Sequence, residues 1–290
     1  MKKSRVITRR DFLRGTVYAA LATSAGSAIG KELKAEEKIK VVLIRDEKVI
    51  DPQGRINQKV LQQMLDQGVS QLLGEEDHLQ AWKKLIKPND IVGIKSNEWS
   101  PLRTPEELEG AIQQRILDVG VPKANISIDD RGVLDDKVFR SSTALINVRP
   151  LRTHFWSGVG GCIKNYIMFT RTPWLYHGDS CSPLASIWNK SIVKGKTRLY
   201  ILSLIRTQFY SRGAHHFDRR YISEYKGLLM GKDPVAVDAV GVRLLQRQRI
   251  AHFGVGEPGV GVDVGQVGAA DGAILVEEEV RAENASVVVE

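Results

Sequence analysis

Between Asp90 and Asp130 the chain reads strand, helix, strand, and this alternation constrains the fold more than any other feature. "DIVGIKSN" holds a short apolar run, Ile91 to Ile94, of the kind found in strands buried on both faces. "TPEELEGAIQQRILDVG" follows, with Thr104 at the N-cap position, Pro105 at the first helical position and Glu107 at the third, a capping-box start. Gly120 ends that helix and "NISIDD" supplies the second strand. Short apolar strands alternating with a helix argue for parallel pairing through right-handed crossovers. The expected class is α/β, with a mainly parallel central sheet flanked by helices.

The rest of the chain extends this pattern. "KVVLI" (Lys40 to Ile44) has β-branched strand character. "NQKVLQQMLDQGVSQLLG" places Val60, Leu61, Met64, Leu65, Val69, Leu72 and Leu73 at helical spacing and closes on Gly74. "DHLQAWKKLI" is a shorter helix, and "ALINV", "RLYILSLI" and "GLLMG" are further strands. "DPVAVDAVGVRLLQRQRI" is a helix with Asp233 as N-cap and Pro234 in its first turn. From Phe253 onward a glycine/valine-rich C-terminal tail is expected to lie along the domain edge as loops and short strands. No internal linker breaks the chain, so residues 39–290 read as a single α/β domain.

The formal net charge is +8 over 290 residues, a value that raises the question of nucleic acid. Most of it sits in the first 30 residues, where Lys2, Lys3, Arg5, Arg9, Arg10 and Arg14 face Asp11 alone. The remainder is close to balanced, which argues against a nucleic-acid partner. "RTQFYSRGAHHFDRRY" (Arg206 to Tyr221) is a second basic stretch, readable as a solvated loop or as a surface for an acidic partner. The N-terminal segment joins a basic region, "GTVYAALATSAGSAIG" and a small-residue exit near Ala28. Arg9 and Arg10 ahead of Phe12 and Leu13 resemble a twin-arginine translocation signal. Residues 1–30 are therefore expected to be a signal peptide recognised by the twin-arginine export machinery, residues 31–38 a charged linker, and the mature protein periplasmic or otherwise extracytoplasmic. The apolar part is too short and weak for a stable transmembrane helix, which needs about 20 apolar residues.

Polar residues gather where strands end. "IVGI" is followed by Lys95, Ser96 and Asn97, "ISI" by Asp129 and Asp130, and "ALI" by Asn147, then Arg149, Arg152 and His154. Sites in open α/β sheets form beyond the carboxyl ends of the strands, so Lys95, Asp129 and His154 are expected to converge there. "HFWSGVGGCIKNYIMFT" adds Gly158, Gly160 and Gly161 ahead of Lys164 and Asn165. One reading is the packed start of a buried helix. The other is an anion or cofactor site, with the glycines admitting a ligand to a helix N-terminus and Lys164 and Asn165 completing its contacts. The spacing matches neither a P-loop nor a dinucleotide fingerprint. Asp238, in an apolar helix, is expected either on a narrow polar stripe or paired with Lys95 or Lys164. His154 and His177 are candidate ligands of a divalent metal. Cys162 and Cys181 are too few to hold a cysteine-ligated iron–sulfur cluster.

Four of these stretches, "IKSN", "RTH", "GGCIKN" and "DPVAVDAVG", together and in order resemble the Domain of Unknown Function 362 family over about Lys40 to Arg249. The resemblance implies relatives in fold and attaches no reaction. The functional expectation is an exported protein with a polar crevice at its strand ends, an enzyme acting on a small anionic molecule or using a metal or cofactor. Its candidate residues are Lys164, Asn165, His154, Lys95, Asp129 and Asp238. The alternative is an exported metal- or cofactor-binding accessory protein without catalysis.

Overall fold

The computed structural model describes residues 39–254, 280–282 and 285–289. The expected signal peptide, the linker and the glycine/valine-rich stretch 255–279 lie outside the described residues. In chain order the elements are β1 (Val41–Arg45), α1 (Gln58–Leu73), α2 (His78–Leu85), β2 (Val92–Lys95), α3 (Glu106–Val119), β3 (Ile126–Asp129), α4 (Lys137–Ser141) and β4 (Ala144–His154). There follow β5 (Gly158–Gly160), α5 (Cys162–Asn165), β6 (Thr197–Gln208), β7 (Ile222–Ser223), β8 (Gly227–Gly231), α6 (Pro234–Phe253), β9 (Val280–Ala282) and β10 (Ala285–Val289).

Among the described residues the strands form one sheet in the order β3-β2-β4-β6-β8-β1-β10-β9, with β5 on β4 and β7 on β6. The half containing β3, β2, β4 and β6 is parallel, as the strand–helix–strand pattern requires. The half containing β8, β1, β10 and β9 is antiparallel. Helices cover both faces. Val42 and Ile44 join α1, α2 and α3 in one core, whereas Val41 and Leu43 join α6 in another. Successive side chains of a strand point to opposite faces, so a strand covered on both sides reads as an unbroken apolar run. A third cluster packs Phe139 and Leu145 against Tyr166, Phe169 and Ile187. Among the described residues no helix is long and apolar enough to cross a membrane.

Two local expectations are corrected. Thr104 does not cap α3; the N-cap is Pro105, with no side-chain bond. Instead Thr104 is fully buried, and its Oγ1 accepts the N–H of Asn97 at 3.1 Å while its own N–H donates to the Asn97 carbonyl at 2.9 Å. Pairing with the segment after β2 outcompetes the cap. Glu106, Glu107 and Glu109 still favour the positive end of the helix. The second correction concerns "ALINV", which is only the start of β4. This strand runs on through Pro150 to His154, because Pro150 stands beside a shift in register with β6, a place where a strand tolerates a missing N–H. Beyond it, Arg152, Thr153 and His154 pair with Gly160, Val159 and Gly158 of β5. β2 stops where Lys95 faces Asn147 and Asp129. β4 therefore overhangs the carboxyl ends of its neighbours, and Arg149, Arg152 and His154 lie on the overhang.

Candidate functional site

The strand-end residues divide into a closed network and an open cluster. Lys95 is completely buried at the end of β2, and its ammonium forms an ion pair with Asp130 and a 2.7 Å bond to the Ser96 carbonyl. Asp130 also accepts the N–H of Glu98 at 3.0 Å. Burial alone raises a carboxyl pKa, but the Lys95 ammonium and that N–H hold Asp130 below the usual carboxylate range. Asn165, 1% exposed, donates to the Asn147 Oδ1 at 2.9 Å and to the carbonyls of Lys95 and Val148 at 3.2 and 3.3 Å. Its Oδ1 accepts from Asn97 at 3.3 Å. This amide is used up in stitching β2 to β4 and meets no open space, so the expected ligand contact at Asn165 is not what its geometry provides. Asp129, the register partner of Lys95, adds to the field on the lysine but spends an oxygen on the N–H of Gly132 at 2.8 Å. Asp130, just past the strand end, is the carboxylate that bonds the ammonium.

The expected anion position at the start of α5 is also filled from within. The N–H groups of Cys162 and Ile163 donate to the two oxygens of Asp238, at 2.6 and 2.9 Å. A side chain at Gly161 would strike that carboxylate, which is what glycine is needed for here. Asp238 is thus matched by backbone donors, not by Lys95 or Lys164. Burial pushes its pKa up to about 6, with the two N–H bonds opposing the rise. The helix itself is a single turn, followed by a 3-10 turn at Tyr166–Phe169. The Cys162 thiol is buried and pushed well up by desolvation and by Asp238, which makes it packing rather than chemistry. Cys162 and Cys181 are both free.

The open cluster is cationic. Arg149, 2% exposed, donates Nη1 to the Gly161 carbonyl at 3.2 Å, and its Nη2 has no partner. Arg152 stacks over Trp99, guanidinium carbon to ring centre 4.1 Å, and its buried Nε has no partner. Both flank Gly160, where a Cβ would come within 2.9 Å of Arg149 Nη2 and 3.1 Å of Arg152 Cγ. Lys164, 6% exposed, faces His177 with Nζ 3.2 Å from Nε2. Among the described residues none of these three cations lies in an ion pair. Burial, together with repulsion from Arg149, takes Arg152 down to about 9. Burial takes Lys164 down to about 8, with Arg149 and Arg152 adding to the fall against the opposing pull of Cys181. Burial first, then Lys164, Arg152 and Arg149, drive His154 down to about 2, which leaves it neutral. A guanidinium stays protonated in proteins, so the buried positive charge remains.

His154 and His177, the candidate metal ligands, stack with ring centres 5.9 Å apart. The Lys164 ammonium already faces His177 Nε2, and His154 Nδ1 lies 2.9 Å from Ser157 Oγ. Among the described residues no group of three or more His, Cys, Asp or Glu side chains is placed to hold a metal ion. Gly158 serves the hairpin between β4 and β5, with φ 71, a conformation suited to glycine. In the basic stretch, Arg206 pairs with Glu224 and Arg220 with Asp218, so two of its four arginines are neutralised internally.

The class this defines is an α/β domain with a half-parallel sheet whose overhanging strand carries unpaired cations. Residues 119–243 match the model of a family described as Domain of unknown function (DUF362). That span is narrower than Lys40 to Arg249; it contains "RTH", "GGCIKN" and "DPVAVDAVG", while "IKSN" precedes it. It also contains Asp130, Arg149, Arg152, Lys164 and Asp238, the residues of both the network and the cluster. A search of curated proteins finds no match, and a search of solved structures finds none.

Proposed function

We propose that the chain binds a small anionic molecule at Arg149, Arg152 and Lys164, and that it does so as an exported protein. One observation carries the reading: three buried cations crowd together with no ion-paired carboxylate, Asp130 and Asp238 attracting the arginines without bonding them, and two of the three aim N–H groups at no acceptor. Burying unpaired charge costs several kcal/mol unless a partner restores it, and a phosphate or carboxylate restores it with charge-assisted hydrogen bonds. The nearest acids are already engaged, Asp130 by Lys95 and Asp238 by the α5 backbone. Lys164 and His177, whose nitrogens face one another, are the groups placed to move a proton at the bound molecule, which is what an enzyme acting on it would need. An ammonium already at His177 Nε2 works against a metal at the same nitrogen, so the metal-carrier alternative gains no support. Export rests on Arg9 and Arg10.

Isothermal titration of the full chain with inorganic phosphate, sulfate and acetate tests the binding site. Saturable binding of at least one anion is expected, weakened about tenfold or more in Arg152→Gln and in Lys164→Met, with folding retained. Wild-type protein that binds none of them, or variants that bind as well as wild type, would falsify the reading. For export, Arg9→Lys with Arg10→Lys is expected to keep the full chain in the cytoplasm. Unchanged fractionation removes that half of the proposal.

A further inference from the structure

Resting on that anion site, we propose that the bound molecule carries a planar aromatic ring, seated in the cleft beside His177 with its anionic group on the cation cluster. The cleft is shallow and open to solvent, offers about 690 Å³, and is lined by Phe155, Trp156, Trp174, His177, the Gly178–Ser180 turn and His215. His177 belongs to both places. Its Nε2 faces Lys164, and its ring packs against Trp156 with centres 4.7 Å apart. A single imidazole therefore separates the aromatic wall from the nearest unpaired cation.

The wall is assembled around Trp156. Its ring also meets Phe155 at 5.5 Å and His215 at 5.8 Å, both edge-on, so the cleft presents π surfaces at several angles. Phe155 and Trp174 are 60% and 66% exposed at the rim. Large aromatics left in water beside a concave surface are the usual lining of a small-molecule site, where a few polar groups fix orientation. The rim backbone is strained as well. Asp179, Ser180 and Cys181 hold φ of 46, 51 and 68 in succession, and none is glycine. Three consecutive left-handed residues of this kind persist where the surroundings over-determine them, and such strain clusters at ligand clamps. The acid in the lining, Asp179, accepts a 2.7 Å bond from the Ser182 hydroxyl that does not cancel its charge, so the positive charge that sets the ligand's sign is Lys164 behind His177 rather than any group in the lining. A plain inorganic anion uses the cations and leaves the aromatic wall wet. A ring bearing a phosphate or carboxylate uses both.

Adenosine monophosphate and flavin mononucleotide serve as ring-bearing probes, ribose 5-phosphate as the same anion without a ring, and adenosine as a ring without the anion. Titration of the full chain by calorimetry and by quenching of tryptophan fluorescence is expected to rank at least one ring-bearing phosphate about five- to a hundredfold above ribose 5-phosphate, the range that base–aromatic stacking supplies. Adenosine is expected to bind weakly. Trp156→Leu, or the rim variant Trp174→Leu where Trp156 proves necessary for folding, is expected to erase most of that advantage and leave ribose 5-phosphate binding unchanged. Equal binding of ring-bearing and ringless phosphates overturns this inference while the anion site stands. Failure of every phosphate probe to bind overturns this inference, and it overturns the anion site too where sulfate and acetate also fail to bind.

Discussion

Lys95 and Lys164 are both buried lysines beside the same turn of polypeptide, and their surroundings are opposite. Lys95 has Asp130, a carbonyl and an amide oxygen around its ammonium. Lys164 has two guanidiniums and the His177 imidazole. The first arrangement is complete and excludes a ligand. The second is incomplete, and the proposed anion would complete it. A buried charge in a polar crevice is thus not by itself a sign of binding; the sign is a buried charge whose partners are missing. The same distinction separates Asn165, whose amide is saturated, from Arg149 and Arg152, whose N–H groups are not.

The largest effect tests the closed side. Lys95→Met leaves Asp130 buried without its cation and is expected to lower stability by about 3–5 kcal/mol, read by chemical denaturation. A loss below about 1 kcal/mol would mean that the network is not holding the strand ends together. Next comes Asp238→Asn, which turns one accepting oxygen into a donor facing an N–H and is expected to lose about 2–3 kcal/mol at pH 7. Its pH dependence has a definite sign. The folded-state pKa, raised from 3.8 to about 6, means the folded protein binds this proton more tightly than the unfolded chain does. Wild type therefore gains stability relative to the asparagine variant as pH falls from about 6 toward 4, by a total of the order of 3 kcal/mol. A difference that stays flat over that window would show Asp238 to be unperturbed.

The open side predicts the reverse direction. Lys164→Met exchanges an unpaired buried ammonium for an apolar chain of similar length, so stability is expected to hold or rise by about 1 kcal/mol while anion binding is lost. A clear loss of stability would place Lys164 with Lys95 and dissolve the contrast. The smallest effect is Thr104→Val, expected to lose about 0.5–1 kcal/mol through one hydrogen bond to Asn97, with anion binding untouched.

Periodicity made most of the fold legible. Val60 to Leu73, the Ile91–Ile94 run and the Asp233–Pro234 start each announce their element through local chemistry. The errors fall where a distant partner decides. Thr104 has every local mark of a cap, yet Asn97 recruits it. Pro150 looks like a strand end, yet the register shift with β6 carries β4 past it. At the site, position was legible and partnership was not. "GGCIKN" stands out in the sequence, but the occupant of its backbone donors lies 75 and 76 residues away, on α6. Asp129 and Asp130 were one residue apart, and only the direction of each side chain chooses between them. Arg149 and Arg152 stood among the strand-end residues, but nothing in one dimension says that no carboxylate bonds them.

The grip of Asp238 on Cys162 and Ile163 also sets an order of assembly. Closing contacts so far apart in sequence is slow compared with local structure. The turn that carries Lys164 is tied to β4 through Asn147 and Asn165, but its first two N–H groups gain their acceptor only when α6 has been made and has docked. A chain halted on the ribosome before Asp233 is expected to hold β4 and both arginines while leaving the start of that turn without its carboxylate, so the proposed ligand site would be completed only after α6 docks.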